Sequence, residues 1–163
     1  MGLGKLFFCI ALLGTCVSIH FPSLPLLTFA PYIVYHLTHS SFKSLLWKAL
    51  GVGLLIDCFT SFLPFGFHMS AYTLCCIVLY RKRALLIGDK PLSLPLYTLG
   101  FSLIFSILQY LYLTWTKTRI HLDYSSISTE FLLMPLQDSL YALTCFTLPS
   151  WLLSKYKELR LKA

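Results

Sequence analysis

The chain has 163 residues, of which 57% are hydrophobic and 12% are charged. Soluble domains average roughly 25% charged residues, so this chain has too little polar surface for a water-soluble globule and is expected to be an integral membrane protein. Its 13 lysines and arginines outnumber its 6 acids, but they are spread along the chain and do not predict a nucleic-acid partner.

Six apolar stretches follow one another and predict an all-α polytopic membrane protein, a six-helix bundle that forms a single transmembrane domain over residues 1–163. Only the third, fifth and sixth reach the roughly 20 residues of a full transmembrane helix. The second contains Pro25 and Pro31, and the fourth begins beside Pro64 and Gly66. The predicted spans are Leu6–Phe21, Leu24–Leu37, Leu45–Leu63, Phe65–Tyr80, Leu92–Trp115 and Phe131–Leu153.

The first stretch also fits a signal peptide, because Met1 to Lys5 forms a short basic region and Leu6 to Val17 a hydrophobic core. However, a second apolar stretch follows within a few residues, and no exported soluble domain comes after it. We therefore expect the first stretch to be retained as a helix.

Basic residues separate onto the two sides of this six-span arrangement. Of the 13 lysines and arginines, only Lys117 and Arg119 fall on one side. Because cytoplasmic loops keep an excess of Lys and Arg, the other side is expected to be cytoplasmic, and both termini lie on it. That side holds Lys5, Lys43, Lys48, Arg81, Lys82, Arg83, Lys90, Lys155, Lys157, Arg160 and Lys162.

A stripe of small residues and one acid lies along the third predicted helix. Ala49, Gly53, Asp57 and Ser61 recur every four residues and so share one helix face, while Gly51 lies off this face. Small residues allow another helix to approach closely. A charged group at membrane depth costs at least about 2.5–3.5 kcal/mol, so Asp57 is expected to face the bundle interior and find a partner there. The stripe predicts either an internal helix–helix contact or a binding face for a partner helix.

The connection from Ser61 to Phe67 carries no charge and turns through Pro64 and Gly66. It predicts a tight apolar turn at the outer surface. Its phenylalanines are expected to be exposed, either to the lipid headgroups or to a partner protein, because an exposed apolar patch often marks an interaction site. They are Phe62, Phe65 and Phe67.

A second acid, Asp138, lies in the sixth stretch, with Ala142 one turn further on the same face. By helix rise, Asp57 and Asp138 are expected about 9 and 10 Å inside the outer ends of their spans, in one layer. At least one is therefore expected to be protonated or hydrogen-bonded. Lys48, nine residues before Asp57, is expected to reach the interface instead of this acid. The candidate partners of the acids are Thr60, Ser61, His68, Gln137 and tyrosine hydroxyls.

The sequence does not predict an enzyme, because it has no Gly-rich phosphate loop, no Gly-x-Ser-x-Gly elbow and no His-Glu-x-x-His. A role on lipid-linked precursors would need a nucleophile beside a base, and no such spacing is found. The 6 cysteines lie in apolar stretches without the spacing of a metal site. We expect no cofactor and no metal.

Four motifs of the chain occur in the order of its predicted spans. Pro22-Ser23-Leu24 opens the second span, and Gly51-Val-Gly-Leu-Leu-Ile-Asp57 is followed by Ser61. Pro64-Phe-Gly66-Phe-His68 starts the fourth span. In the sixth, Pro135-Leu-Gln-Asp-Ser-Leu-Tyr-Ala-Leu-Thr leads to Pro149 and a basic tail. Together these motifs resemble MreD, the small polytopic subunit of the bacterial cell-wall elongation machinery.

The resemblance implies a six-helix protein of the bacterial inner membrane, similar in fold to the substrate-binding subunits of ECF vitamin transporters. It implies a scaffold that regulates cell shape by binding MreC, a bitopic protein. Proximity to MreB filaments and to the glycosyltransferase RodA with its transpeptidase is also implied. The residues expected at helix contacts or at a partner are Ala49, Gly51, Gly53, Asp57, Ser61, Phe62, Pro64, Phe65, Gly66, His68, Asp138 and Ala142.

An alternative function stays open. In a solute-binding subunit of an ECF-type vitamin transporter, Asp57, Asp138 and nearby aromatic residues would line a pocket that opens outward. This alternative predicts a bound ligand, whereas the scaffold predicts a protein partner.

Overall fold

The structure, a computed structural model, describes residues 3–20, 26–60, 63–86, 93–116 and 129–152. These residues form six helices and contain no strand, which confirms the all-α prediction for this part of the chain. Five are α1 (Leu3–His20), α2 (Ala30–His39), α3 (Phe42–Phe59), α4 (Phe67–Leu86) and α5 (Ser93–Trp115). The sixth, α6, contains an α-helical part at Met134–Ala142 between π-helical turns at Thr129–Leu133 and Leu143–Thr147, and it continues through 148–152.

Several helix ends differ from the predicted spans, and local chemistry explains two of them. Helix α2 begins at Ala30, six residues after the predicted start. Pro31 lies in its first turn, where backbone N–H groups have no partner within the helix, so the N–H that proline lacks is not needed. Helix α4 begins at Phe67, because Gly66 (φ 94°) makes a turn that residues with side chains rarely adopt. It continues to Leu86, beyond the predicted Tyr80.

Two described helical stretches, Ser93–Trp115 and Phe131–Leu152, are long and apolar enough to cross a membrane. A shorter apolar stretch covers Leu3–Ser18. By themselves these helices are weak evidence, since core helices of soluble proteins and signal sequences have the same character. The arrangement of six membrane spans therefore stays a prediction.

The core lies where α5 packs against α2, α4 and α6, while α3 packs mainly against α4. Its largest fully buried side chains are mostly aromatic, and α1 contributes Phe7, which contacts Phe146 of α6 with ring centroids 4.8 Å apart. Many large apolar side chains on the opposite faces point outward instead. Exposed examples on α1, α5 and α6 are Leu13, Leu96, Leu111, Leu132 and Leu140.

Candidate functional site at the α3–α4 turn

The carboxylate of Asp57, near the end of α3, binds the beginning of α4. Its Oδ1 accepts hydrogen bonds from the backbone N of His68 at 3.0 Å and from the ring Nδ1 of His68 at 2.8 Å. Its Oδ2 accepts from the backbone N of Gly66 at 3.0 Å and of Met69 at 3.2 Å. The first N–H groups of a helix have no partner within the helix, and a negative charge is favourable there. Asp57 therefore caps α4 from a neighbouring helix, and the prediction that His68 binds an acid is confirmed.

Because Gly53 has no side chain, the backbone of α4 lies directly against α3 at this position. A Cβ added to Gly53 would overlap the Cα of Met69 and lie 2.7 Å from its N and 2.8 Å from the His68 carbonyl oxygen. Ala49, one turn earlier, is completely buried. Hence Gly53 and Asp57 form a helix–helix contact within the chain, the first of the two interpretations of the stripe, and Ala49 is buried on the same face. Gly51 is exposed, and an added Cβ there would meet open space.

The phenylalanines of the turn do not share one environment. Phe65 is 72% exposed, as expected. The expectation that Phe67 is exposed is wrong, because its ring turns toward α5 and packs on Phe105 and Tyr112, with centroids 6.1 and 5.0 Å away. Ser61 and Phe62 lie outside the described residues.

An apolar groove of about 570 Å³ lies beside the capped turn, between α4 and α5. Its lining includes no charged residue, and its polar side-chain groups are the hydroxyls of Ser70 and Tyr112 and the indole N–H of Trp115. Trp115, at the end of α5, is 84% exposed and forms part of the lining. Other residues that line this groove, which we call the outer groove, are Pro64, Phe65, Leu74, Leu108 and Leu111.

Asp138 is completely buried, and it joins three parts of the fold. Its Oδ1 accepts a hydrogen bond from the backbone N of Leu27, in the α1–α2 connection, at 2.8 Å. Its Oδ2 accepts one from the hydroxyl of Ser102, on α5, at 2.5 Å. Asp138 is thus hydrogen-bonded, as predicted, but neither partner was among the candidates. Ala142, also completely buried, lies one turn further along α6.

A pattern in the sequence could have indicated Ser102. Thr98, Ser102 and Ser106 recur every four residues on α5, and all three are buried. Hydroxyl side chains on one face of an apolar helix are a signal for bonds between helices. The N–H of Leu27 could not be inferred in this way, because a backbone donor leaves no mark in the sequence.

Lys48 does not reach Asp57, as expected. Its Nζ lies 3.0 Å from Nδ1 of His36 and 3.1 Å from the Ser40 hydroxyl, at the opposite end of α3. The two acids, Asp57 and Asp138, bind separate sets of groups. Among the described residues, no three His, Cys, Asp or Glu side chains come close enough to hold a metal ion.

Comparison of the chain with protein-family models, with curated proteins and with solved structures gives no match. The likeness to MreD therefore depends on the sequence motifs alone. Two of these motifs, Gly51 to Asp57 and Pro64 to His68, contain Asp57 and the residues to which it binds at the α3–α4 turn, apart from Met69.

Replacing Ser102 with alanine is expected to lower the free energy of unfolding by about 1–3 kcal/mol, because it removes a hydrogen bond to a buried carboxylate. Denaturant unfolding of the chain in detergent would measure the change. Thr114→Ala, on the same helix, removes an exposed hydroxyl bonded to the Tyr110 carbonyl and serves as the control. Equal stability of the two variants would mean that the hydrogen bond from Ser102 to Asp138 does not stabilise the fold.

Proposed function

We propose that the chain is a non-enzymatic, multi-pass scaffold protein of the bacterial inner membrane that acts in cell-wall elongation, as MreD does. In this role the outer groove binds the membrane helix of a bitopic, MreC-like protein. The observation that carries the proposal is the groove itself, which is exposed, uncharged and adjacent to the turn that contains the family-like motifs.

The membrane setting is supported by the outward-facing side chains. Leucines more than half exposed occur on α1, α5 and α6, and Trp47 and Trp115 are exposed near predicted interfaces. Large apolar faces of this kind are costly in water and stable against lipid. The two long apolar stretches, Ser93–Trp115 and Phe131–Leu152, agree with this setting.

The occupant of the outer groove is inferred from its lining. Because the groove includes no charged group, the segment that fills it must be apolar at this depth. A third helix placed between α4 and α5 would gain packing and exclude lipid from both helices, which is how membrane helices associate. Tryptophan, here the exposed Trp115, is among the residue types that contribute most at protein interfaces, and aromatic residues such as the exposed Phe65 are enriched there.

The transporter alternative receives less support. It requires Asp57 and Asp138 to line a solute pocket, whereas the outer groove is lined by neither of them. Both carboxylates have structural partners instead, at the start of α4 and on α5. A stoichiometric vitamin or metal in mass spectra of the gently purified protein would reverse this preference.

Trp115→Ala is expected to reduce recovery of a coexpressed MreC-like protein from the same organism by about tenfold or more, the size of effect found for a central tryptophan. Because Trp115 is 84% exposed, stability of the chain alone should stay nearly unchanged. The measurement is affinity co-purification from detergent-solubilised membranes, with thermal unfolding of each variant.

The matched control is Trp47→Ala, since Trp47 is 76% exposed and lies on α3 outside the outer groove. It should leave recovery of the partner unchanged. Equal recovery with Trp115→Ala and with the unsubstituted chain would reject the groove as the binding site. Failure of the unsubstituted chain to retain such a protein would reject the scaffold role.

A further inference from the structure

Three helix ends meet at the end of α3 opposite the Asp57 turn. His36, near the end of α2, packs against α1, where a Cβ added to Gly4 would lie 3.3 Å from its Cε1. Lys48 of α3 lies 3.0 Å from Nδ1 of His36 and 3.1 Å from the hydroxyl of Ser40. Nδ1 of His36 and Oγ of Ser40 are 3.2 Å apart. We call these three side chains the Lys48 cluster.

Among the residues that the structure describes, no acid balances the positive charge of the Lys48 cluster. Among the described residues, no carboxylate lies within salt-bridge distance of Lys48. An ammonium only donates hydrogen bonds, so Nδ1 of His36 must accept and cannot carry a proton. Two of the three ammonium donors are used by neutral partners, which leaves one donor and the whole charge for another group.

The partly buried position of Lys48 makes this charge informative. The side chain is not fully exposed to water, since it lies between α2 and α3, and no acid in the described part of the chain pairs with it. Attraction between charges is stronger in such a setting than in water. An anion that reaches the cluster would therefore bind more tightly than at an exposed lysine such as Lys43 of the same helix.

We propose that Lys48, His36 and Ser40 form a binding site for a phosphate group, carried by an anionic phospholipid headgroup or free in solution. Lysine binds phosphate through short, charge-assisted hydrogen bonds. The exposed Lys5, at the start of α1, adds positive potential. Basic pockets between helices at the cytoplasmic side of a membrane bind anionic headgroups, and this end of α3 is the predicted cytoplasmic end. The proposal does not depend on the scaffold role.

The test uses the full chain purified in a neutral detergent. Binding of short-chain phosphatidylglycerol and phosphatidylcholine is followed by native mass spectrometry, and binding of inorganic phosphate by calorimetry. Phosphatidylglycerol is expected to bind at least about tenfold more tightly than phosphatidylcholine. Lys48→Met should weaken phosphatidylglycerol binding by at least about tenfold, as expected for loss of a hydrogen bond to a charged group.

The matched control is Lys43→Met, which removes the same charge from an exposed position on the same helix. It should change phosphatidylglycerol binding by less than about threefold at physiological salt, because exposed charges are screened. If Lys48→Met does not fold, Lys48→Gln removes the charge and keeps a somewhat shorter hydrogen-bonding side chain near His36 and Ser40.

Each outcome decides the proposal. Binding of phosphatidylglycerol that depends on Lys48 supports the site and assigns it to lipid. Binding of inorganic phosphate with the same dependence, when neither lipid binds, supports the site and assigns it to a soluble source. Equal effects of the Lys43 and Lys48 substitutions, measurable and equal binding of the two lipids, or no binding of either phosphate source would overturn it.

Discussion

Gly53→Ala is expected to separate α4 from α3 and to lower the free energy of unfolding by at least about 3 kcal/mol, at the upper end of the range for overpacked cores. The added methyl group would overlap the Cα of Met69 and lie 2.7 Å from its N. Carbon atoms are in favourable contact only at about 3.5–4.0 Å. The atoms in the way belong to backbone and cannot rotate aside, so the whole start of α4 must move.

This movement would also break the cap, because the atoms that Gly53 contacts are next to those that bind Asp57. Met69 and His68 both donate backbone hydrogen bonds to that carboxylate. The loss should therefore exceed the effect of one methyl group in an ordinary core. Denaturant unfolding in detergent measures the stability, and a disulfide crosslink engineered between α3 and α4 reports their separation.

Gly51→Ala is the matched control, since it makes the same substitution two residues earlier on the same helix. An added Cβ at Gly51 meets open space. Alanine favours helix over glycine by about 0.8–1.0 kcal/mol, so this variant should be as stable as the original chain or more stable. If Gly53→Ala matched Gly51→Ala, α4 would not lie against α3 as described.

The order of the six described helices could be predicted because each of them corresponds to one apolar stretch of the sequence. Pro31 in the first turn of α2 and Gly66 before α4 show how two helix starts depend on single residues. The prediction placed the start of α2 too early because apolar character continues from Leu24 to Leu37, whereas residues 26–29, the described residues before α2, are not helical. Hydropathy measures preference for lipid or core and says little about where a helix begins.

The stripe on α3 could be predicted from spacing, since Gly53 and Asp57 must share a face of any α-helix. The helix that packs against the stripe could not be predicted, because a helix of another chain and α4 would both satisfy the same pattern. Phe67 shows the same limit: its burial depends on how α4 is rotated against α5, which the cap on its first turn determines. The partners of Asp138 come from segments distant in sequence, and only Ser102 left a periodic signal.

The cap and the outer groove are joined by the same short segment. Asp57 binds Gly66, His68 and Met69, whereas Phe65, Gly66 and Phe67 contribute to the groove lining. The ring of His68 also stacks on Phe105 of α5, with centroids 5.8 Å apart. Loss of the carboxylate is thus expected to disturb the groove as well as the α3–α4 contact.

Asp57→Ala is expected to lower the free energy of unfolding by about 3 kcal/mol or more, because several donors lose their acceptor at once and each unsatisfied buried group costs about 1–3 kcal/mol. Four donors, three of them backbone N–H groups, would lose their acceptor. Asp57→Asn keeps one oxygen but places an NH₂ group opposite N–H donors, so it should also be destabilised, though less than Asp57→Ala. Denaturant unfolding in detergent gives the order of the variants.

Two further variants separate the cap from its surroundings. Cys58→Ala changes the adjacent exposed side chain and should leave stability within about 0.5 kcal/mol of the original. His68→Phe keeps a ring to stack on Phe105 and removes one of the four donors, so its effect should be clearly smaller than that of Asp57→Ala. If the loss with His68→Phe equalled that with Asp57→Ala, the backbone bonds would contribute nothing.

Asp57→Ala should also reduce recovery of the MreC-like protein, as Trp115→Ala does. If the Asp57→Ala variant were stable and recovered the MreC-like protein fully, the Asp57 cap would be needed neither for stability nor for partner binding.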